Sequence, residues 1–153
     1  MSEKHDPHIV AAMTGPERPR GAGLSGGAGD VVLLSIPSKP EYVGLSRLAV
    51  AGVARVSDLP EEAVADLKLA VTEACTFALQ HVQGQRDACL AVGFRVTPHS
   101  WVIDVTWPSG NPGGDAALAD GGLGLAVMRA LVDGVDLESS FDGRSLLRLT
   151  KQL

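Results

Sequence analysis

The sequence predicts an α+β fold, a two-layer α/β sandwich in which a mostly antiparallel sheet carries helices on one face. Three observations lead there. Several stretches alternate apolar and polar residues or are rich in β-branched residues and Leu, as strands are. Three others repeat apolar residues at helical spacing. Their order, β-α-α-β-β-α-β-β, lets the strands join one largely antiparallel sheet with the helices layered on it.

Composition sets the frame. The chain has 153 residues, 45% hydrophobic and 20% charged, a size and balance that suit one domain with a real core. Its net charge of −5 comes with no run of Lys or Arg, which argues against nucleic acid or an anionic membrane as the main partner. No apolar run approaches the roughly 20 residues that span a bilayer, and no basic-then-apolar leader opens the chain. Cys75 and Cys89 lack metal-ligand spacing and read as core thiols of a reduced, cytoplasmic protein.

The elements follow in order. Residues 1–29 include "TGPERPRGAGLSGGAG", too poor in apolar surface to offset the entropy of ordering, and are expected to be a disordered tail. The domain is expected to occupy 30–153. "DVVLLSIPS" is a strand over about 31–37. "SKPE" reads as a capping box, Ser38 with Glu41 around Pro40, opening a helix to about Val56 with Val43, Leu45, Leu48, Val50 and Val53 available for burial. "DLPEE" repeats the device with Asp58 and Glu61, and the helix that follows carries Val64, Leu67, Val71, Ala74 and Ala78 to an end near Gly84. "ACLAVGFRV" and "SWVIDVTW" are strands joined at "TPHS", the second with Trp101, Ile103, Val105 and Trp107 on one face. An irregular Gly-rich connection leads to a third helix, Leu123–Asp133. "VDLESSF" and "RSLLRLTKQ" close the chain as a hairpin across Asp142-Gly143.

Two features stand out as candidate sites. Glu73, Phe77 and His81 fall at i, i+4 and i+8 of the second helix and stack along one stripe. A mid-helix Glu is ordinarily solvated, but Ala70, Ala74 and Phe77 around it put this carboxylate at a core margin. His81 near a helix C-terminus has a favourable dipole contact as its simplest role. The second feature is "DGGLG" at 120–124, just before a helix. It reads either as a flexible helix start or as a place where backbone N–H groups meet an anion. It is neither a Walker loop nor a dinucleotide fingerprint, since no Lys-Ser/Thr follows it and no strand of a βαβ unit precedes it. No Ser-His-Asp set or metal cluster is visible.

The motifs "PEYVGLSRLAV", "DLKLAVTEACTFALQHV", "GGLGLAVMRALVDGV" and the closing "LRLTK", in that order over about 31–153, resemble the RsbW-type anti-sigma factors. These are bacterial serine-protein kinases with the ATP-binding (Bergerat, histidine-kinase-like) fold. The resemblance implies a protein that holds a sigma factor off RNA polymerase, releases it when an anti-anti-sigma factor (a STAS domain) competes, and phosphorylates a serine on that competitor. It implies a homodimer. It assigns Glu73 as the catalytic base towards the serine hydroxyl or its activating water. It makes Gly121, Gly122, Leu123 and Gly124 the phosphate loop, and places partner contacts on helix 42–56, with Glu41 and Arg47.

Two departures from the family pattern bear on activity. "EACTNAxxH" has an asparagine four residues after the glutamate, a Mg²⁺ ligand; here that residue is Phe77, whose ring has no lone pair for a hard cation. The family's "D-x-G", whose aspartate accepts a hydrogen bond from adenine, is replaced by Trp107 and Ser109. Loss of a charged hydrogen bond costs about 1.5–3 kcal/mol, roughly 10- to 150-fold in affinity. A general base alone supplies about 10²–10⁴-fold in rate and does not replace a nucleotide grip. The sequence therefore predicts an anti-sigma factor whose kinase activity is weak or lost, with no cofactor assigned. The alternative is an active kinase using ATP and Mg²⁺ through altered ligation.

Overall fold

The computed structural model describes residues 10–12, 30–82, 88–109, 122–139 and 143–153. Strands β1 (Val10–Ala12), β2 (Asp30–Pro37), β3 (Cys89–Val96), β4 (Ser100–Pro108), β5 (Gly134–Ser139) and β6 (Arg144–Gln152) form one sheet in the order β1-β2-β3-β4-β6-β5. Every neighbouring pair is antiparallel. Helices α1 (Gly44–Ala54), α2 (Glu61–His81) and α3 (Gly122–Leu131) share a core with one face of this sheet, which makes the α+β sandwich.

The alternation in β4 has the predicted consequence. Trp101, Ile103, Val105 and Trp107 are all fully buried on the helix side, between Leu90, Val92 and Phe94 of β3 and Leu147 and Leu149 of β6. Burying each aliphatic side chain among them is worth about 1.5–3 kcal/mol, and β4 is the centre of the core. Helix α2 lies against it through Leu67, Ala70, Val71, Ala74 and Ala78. On the opposite sheet face Asp104 and Arg148 are register partners and form a bidentate ion pair, Nε–Oδ1 2.7 Å and Nη2–Oδ2 2.8 Å. The pair holds the Arg148 guanidinium above its ordinary pKa, chiefly through the hydrogen bonds to Asp104.

Several local expectations are corrected. Neither capping box forms. The Ser38 N–H donates to Ala88 O at 3.0 Å and so prolongs the β2–β3 ladder, leaving Lys39 to cap a short 3₁₀ turn, Pro40–Tyr42, without a side-chain bond. Pro60, not Asp58, precedes α2, again without a side-chain cap. Leu48 is 68% exposed. The buried stripe of α1 runs through Ser46 and Val50, and two residues on from Ser46 is about 200° around the helix. Within the segment expected to be a disordered tail, Val10–Ala12 pair with Leu33–Ser35 of β2; the rest of 1–29 lies outside the described residues, as do residues 83–87, where α2 was expected to end. The turn at 97–100 is closed by Thr97 N–H to Ser100 O at 2.9 Å, with Thr97 Oγ1 accepting from the N–H groups of His99 and Ser100.

Candidate functional site

The column on α2 survives as a physical unit. The rings of Phe77 and His81 stack with centroids 4.3 Å apart and planes at 29°. Trp107 meets Phe77 edge-on from β4, centroids 6.1 Å apart at 73°. Phe77 is 3% exposed and Trp107 fully buried. Edge-to-face pairs of this kind add about 0.5–1.5 kcal/mol beyond area burial. His81 Nδ1 lies 2.8 Å from Phe77 O, one turn back, so the imidazole caps a carbonyl at the helix end.

Glu73 is half-buried one turn before Phe77 and faces α3. Its Oε1 lies 3.6 Å from where a Cβ would stand on Gly124, in the first turn of that helix. A carboxylate beside a helix N-terminus is favoured by the free N–H groups and the dipole there. Gly122 opens α3 with φ +59, a left-handed conformation that suits glycine. Leu123 is exposed, and Gly121 lies outside the described residues. The structure therefore brings Glu73, Phe77, His81, Trp107 and the start of α3 together. Glu41 and Arg47 are elsewhere, exposed on the 3₁₀ turn and on α1, with Leu48 exposed beside Arg47.

Sequence reasoning missed one residue of this neighbourhood. Ser145 is the β6 register partner of Trp107 and is 1% exposed. Trp107 Nε1 and Ser145 Oγ are both buried without a hydrogen-bond partner among the described residues. Only the β4–β6 pairing reveals the juxtaposition, because the two positions are far apart in sequence. Each unpaired polar atom costs about 1–3 kcal/mol.

Comparison with known proteins identifies the family. Residues 36–151 match the histidine kinase-like ATPase domain family. The chain is 37% identical to the serine-protein kinase RsbW of Bacillus pumilus, covering 72% of this chain and 80% of that one. It is 34% identical to the protein of the same name from Listeria monocytogenes, covering 71% and 79%. The solved RsbU and RsbW domains of Rv1364c from Mycobacterium tuberculosis superpose with a TM-score of 0.60 at 19% identity, over 79% of this chain and 32% of that one, a likeness of fold. The chain belongs to the RsbW serine-protein kinase family, within the histidine kinase-like ATPases.

Such ATPases imply ATP and Mg²⁺, and positions 77 and 107 depart from the family pattern expected to hold them. Residue 77 offers a buried benzyl ring in place of an oxygen ligand, and hard cations demand oxygen. The indole N–H of Trp107 is a donor, as is the amino group of adenine, so it cannot replace a carboxylate acceptor.

Proposed function

We propose that this protein is a cytoplasmic, homodimeric anti-sigma factor that acts by sequestration and partner exchange, with ATP-dependent serine kinase activity weak or lost. The observation that carries the reading is the Phe77–Trp107 ring contact, buried where the family resemblance places the metal ligand and the adenine anchor, with half-buried His81 stacked on Phe77. Electrostatic neutralisation by Mg²⁺ dominates phosphoryl transfer. Without a cation between them, the Glu73 carboxylate and a phosphate at the start of α3 repel each other.

Partner binding falls to α1. Its outward side presents Arg47 and the exposed Leu48, with Glu41 one short turn earlier. Arginine is among the residue types enriched in protein-binding hot spots. The natural partners are a sigma factor and a STAS-domain anti-anti-sigma factor that displaces it.

The experiment is titration of the purified protein with ATP, with and without Mg²⁺, alongside capture of a co-expressed sigma factor. The expected result is sigma capture that Arg47→Glu abolishes, without micromolar ATP binding. Glu73 beside Gly124 keeps one alternative open, an active serine-protein kinase. Transfer of labelled phosphate to a serine of the STAS partner, lost in Glu73→Ala, would establish it and overturn the first reading.

A further inference from the structure

The opposite end of the helical layer holds a feature that the ATPase-like site does not use. An open groove of about 1140 Å³ lies between the α1–α2 turn and the sheet, bounded by β2, β3 and the C-terminus. Its walls include Val32, Leu34, Val53, Leu59 and Phe94, and Val56 (85% exposed) and Leu153 (53%) stand apolar at its edge. Ordinary small-molecule pockets run to roughly 300–1,000 Å³, so this groove has room for the side chains of a polypeptide. Gly52 lines it from α1, and a Cβ added there meets nothing within 4 Å.

The groove's charge is one-sided. Asp30 and Asp58 line it and are exposed, and just outside the lining the exposed Glu61 and Glu62 outnumber the exposed Arg55. Lys151 also lines it, but its ammonium is spent inward, donating to Leu131 O at 3.2 Å with Asp66 Oδ2 at 4.0 Å. An apolar floor under a carboxylate lip is complementary to aliphatic side chains flanked by cations.

From this we infer a second docking site, for a basic amphipathic segment of a protein partner: aliphatic side chains enter the groove while flanking Lys or Arg meet Asp30 and Asp58. The inference is independent of the sigma-binding reading, which rests on the outward side of α1.

A labelled amphipathic Leu/Lys peptide and its Leu/Glu counterpart test it by fluorescence anisotropy on the full chain. The Leu/Lys peptide is expected to bind and the Leu/Glu peptide not. Gly52→Phe, which projects a ring into open space, should abolish binding, whereas Gly52→Ala should keep it, both with an undiminished Tm. Asp30→Asn combined with Asp58→Asn should weaken binding roughly tenfold. Binding that survives Gly52→Phe, or equal binding of both peptides, overturns the proposal. So does Leu/Lys binding that requires Met13→Asp and Leu24→Asp, which makes the chain's own 13–29 segment the occupant. A dimer that Gly52→Phe converts to monomer overturns it in favour of a second copy, and absence of any peptide binding overturns it outright.

Discussion

Helix α2 meets two different environments along its length. Around Phe77 and His81 it is sealed: rings from helix and sheet fill the space, and Trp107 closes the contact edge-on. Around Pro60 and Ala63 the same helical layer stands away from the sheet and leaves about 1140 Å³ open. The local chemistry explains the contrast. Large rings at residues 77 and 107 span the gap between layers, while Gly52, Ala49 and Ala63 at the other end are too small to do so. Which end of a sandwich is solid and which receives a partner is thus decided by a handful of side-chain volumes on an unchanged backbone plan.

The largest expected effect breaks the sealed end. Phe77→Ala or Trp107→Ala should each cost about 3–5 kcal/mol, as expected for emptying a close-packed aromatic site. Val53→Ala on the half-exposed groove wall should cost under about 1.5 kcal/mol. Urea unfolding of the variants measures the ratio, and equal losses would mean that the two ends are packed alike. A sharper version is Phe77→Asn with Trp107→Asp. If the rings merely occupy a competent pocket, this pair restores Mg²⁺-dependent ATP binding in a folded protein. If it unfolds the chain instead, the rings have become core.

Much of the sealed end was legible from periodicity. The i, i+4, i+8 spacing stacks Glu73, Phe77 and His81 on any α-helix, and alternation alone turns Trp101 and Trp107 to the same face. Partners brought together by pairing were not legible: Gly124 against Glu73, Ser145 opposite Trp107, and Asp104 with Arg148 all depend on distant segments meeting. Ser38 shows how a tertiary contact overrides a local signal, since its N–H serves the sheet ladder and its side chain never caps a helix. The groove was invisible because it depends on how far α1 stands from β2 and β3, a distance that no spacing along the chain encodes. Residues 10–12, set in a Gly- and Pro-rich region, carry too short a pattern to announce a strand.

In the second half of α2, fully buried Cys75 gives a smaller, pH-dependent effect. Burial pushes its thiol up to about 11 from an ordinary 9.0, against a smaller lowering influence of the Ser46 side chain. Below pH 9 the thiol is protonated in both folded and unfolded chains and contributes no pH dependence. Between pH 9 and 11 the unfolded chain loses this proton first, so it binds fewer protons than the native state and stability falls as pH rises. The loss attributable to Cys75 is about 2–3 kcal/mol across that window. Comparing unfolding free energies of wild type and Cys75→Ala at both ends of the window isolates it from other groups that titrate there. A difference that stays constant with pH would show that α1 does not shield the thiol.

The smallest expected effect belongs to the open end and has the opposite sign. Gly52 lies inside α1, its φ is not positive, and a methyl group there meets nothing within 4 Å. Replacing a helix-interior glycine by alanine at an unstrained site removes backbone entropy from the unfolded chain and should stabilise by about 0.5–1 kcal/mol. At the sealed end the corresponding change is Gly124→Ala, whose new methyl would touch the Glu73 carboxylate oxygen at 3.6 Å. That distance is ordinary contact, so the fold accepts it, but the methyl displaces water from a charged oxygen and offsets part of the helical gain. Gly52→Ala should therefore raise Tm more than Gly124→Ala. Equal increases would mean that the carboxylate is as freely solvated as the groove, and that α2 does not divide into a closed half and an open one.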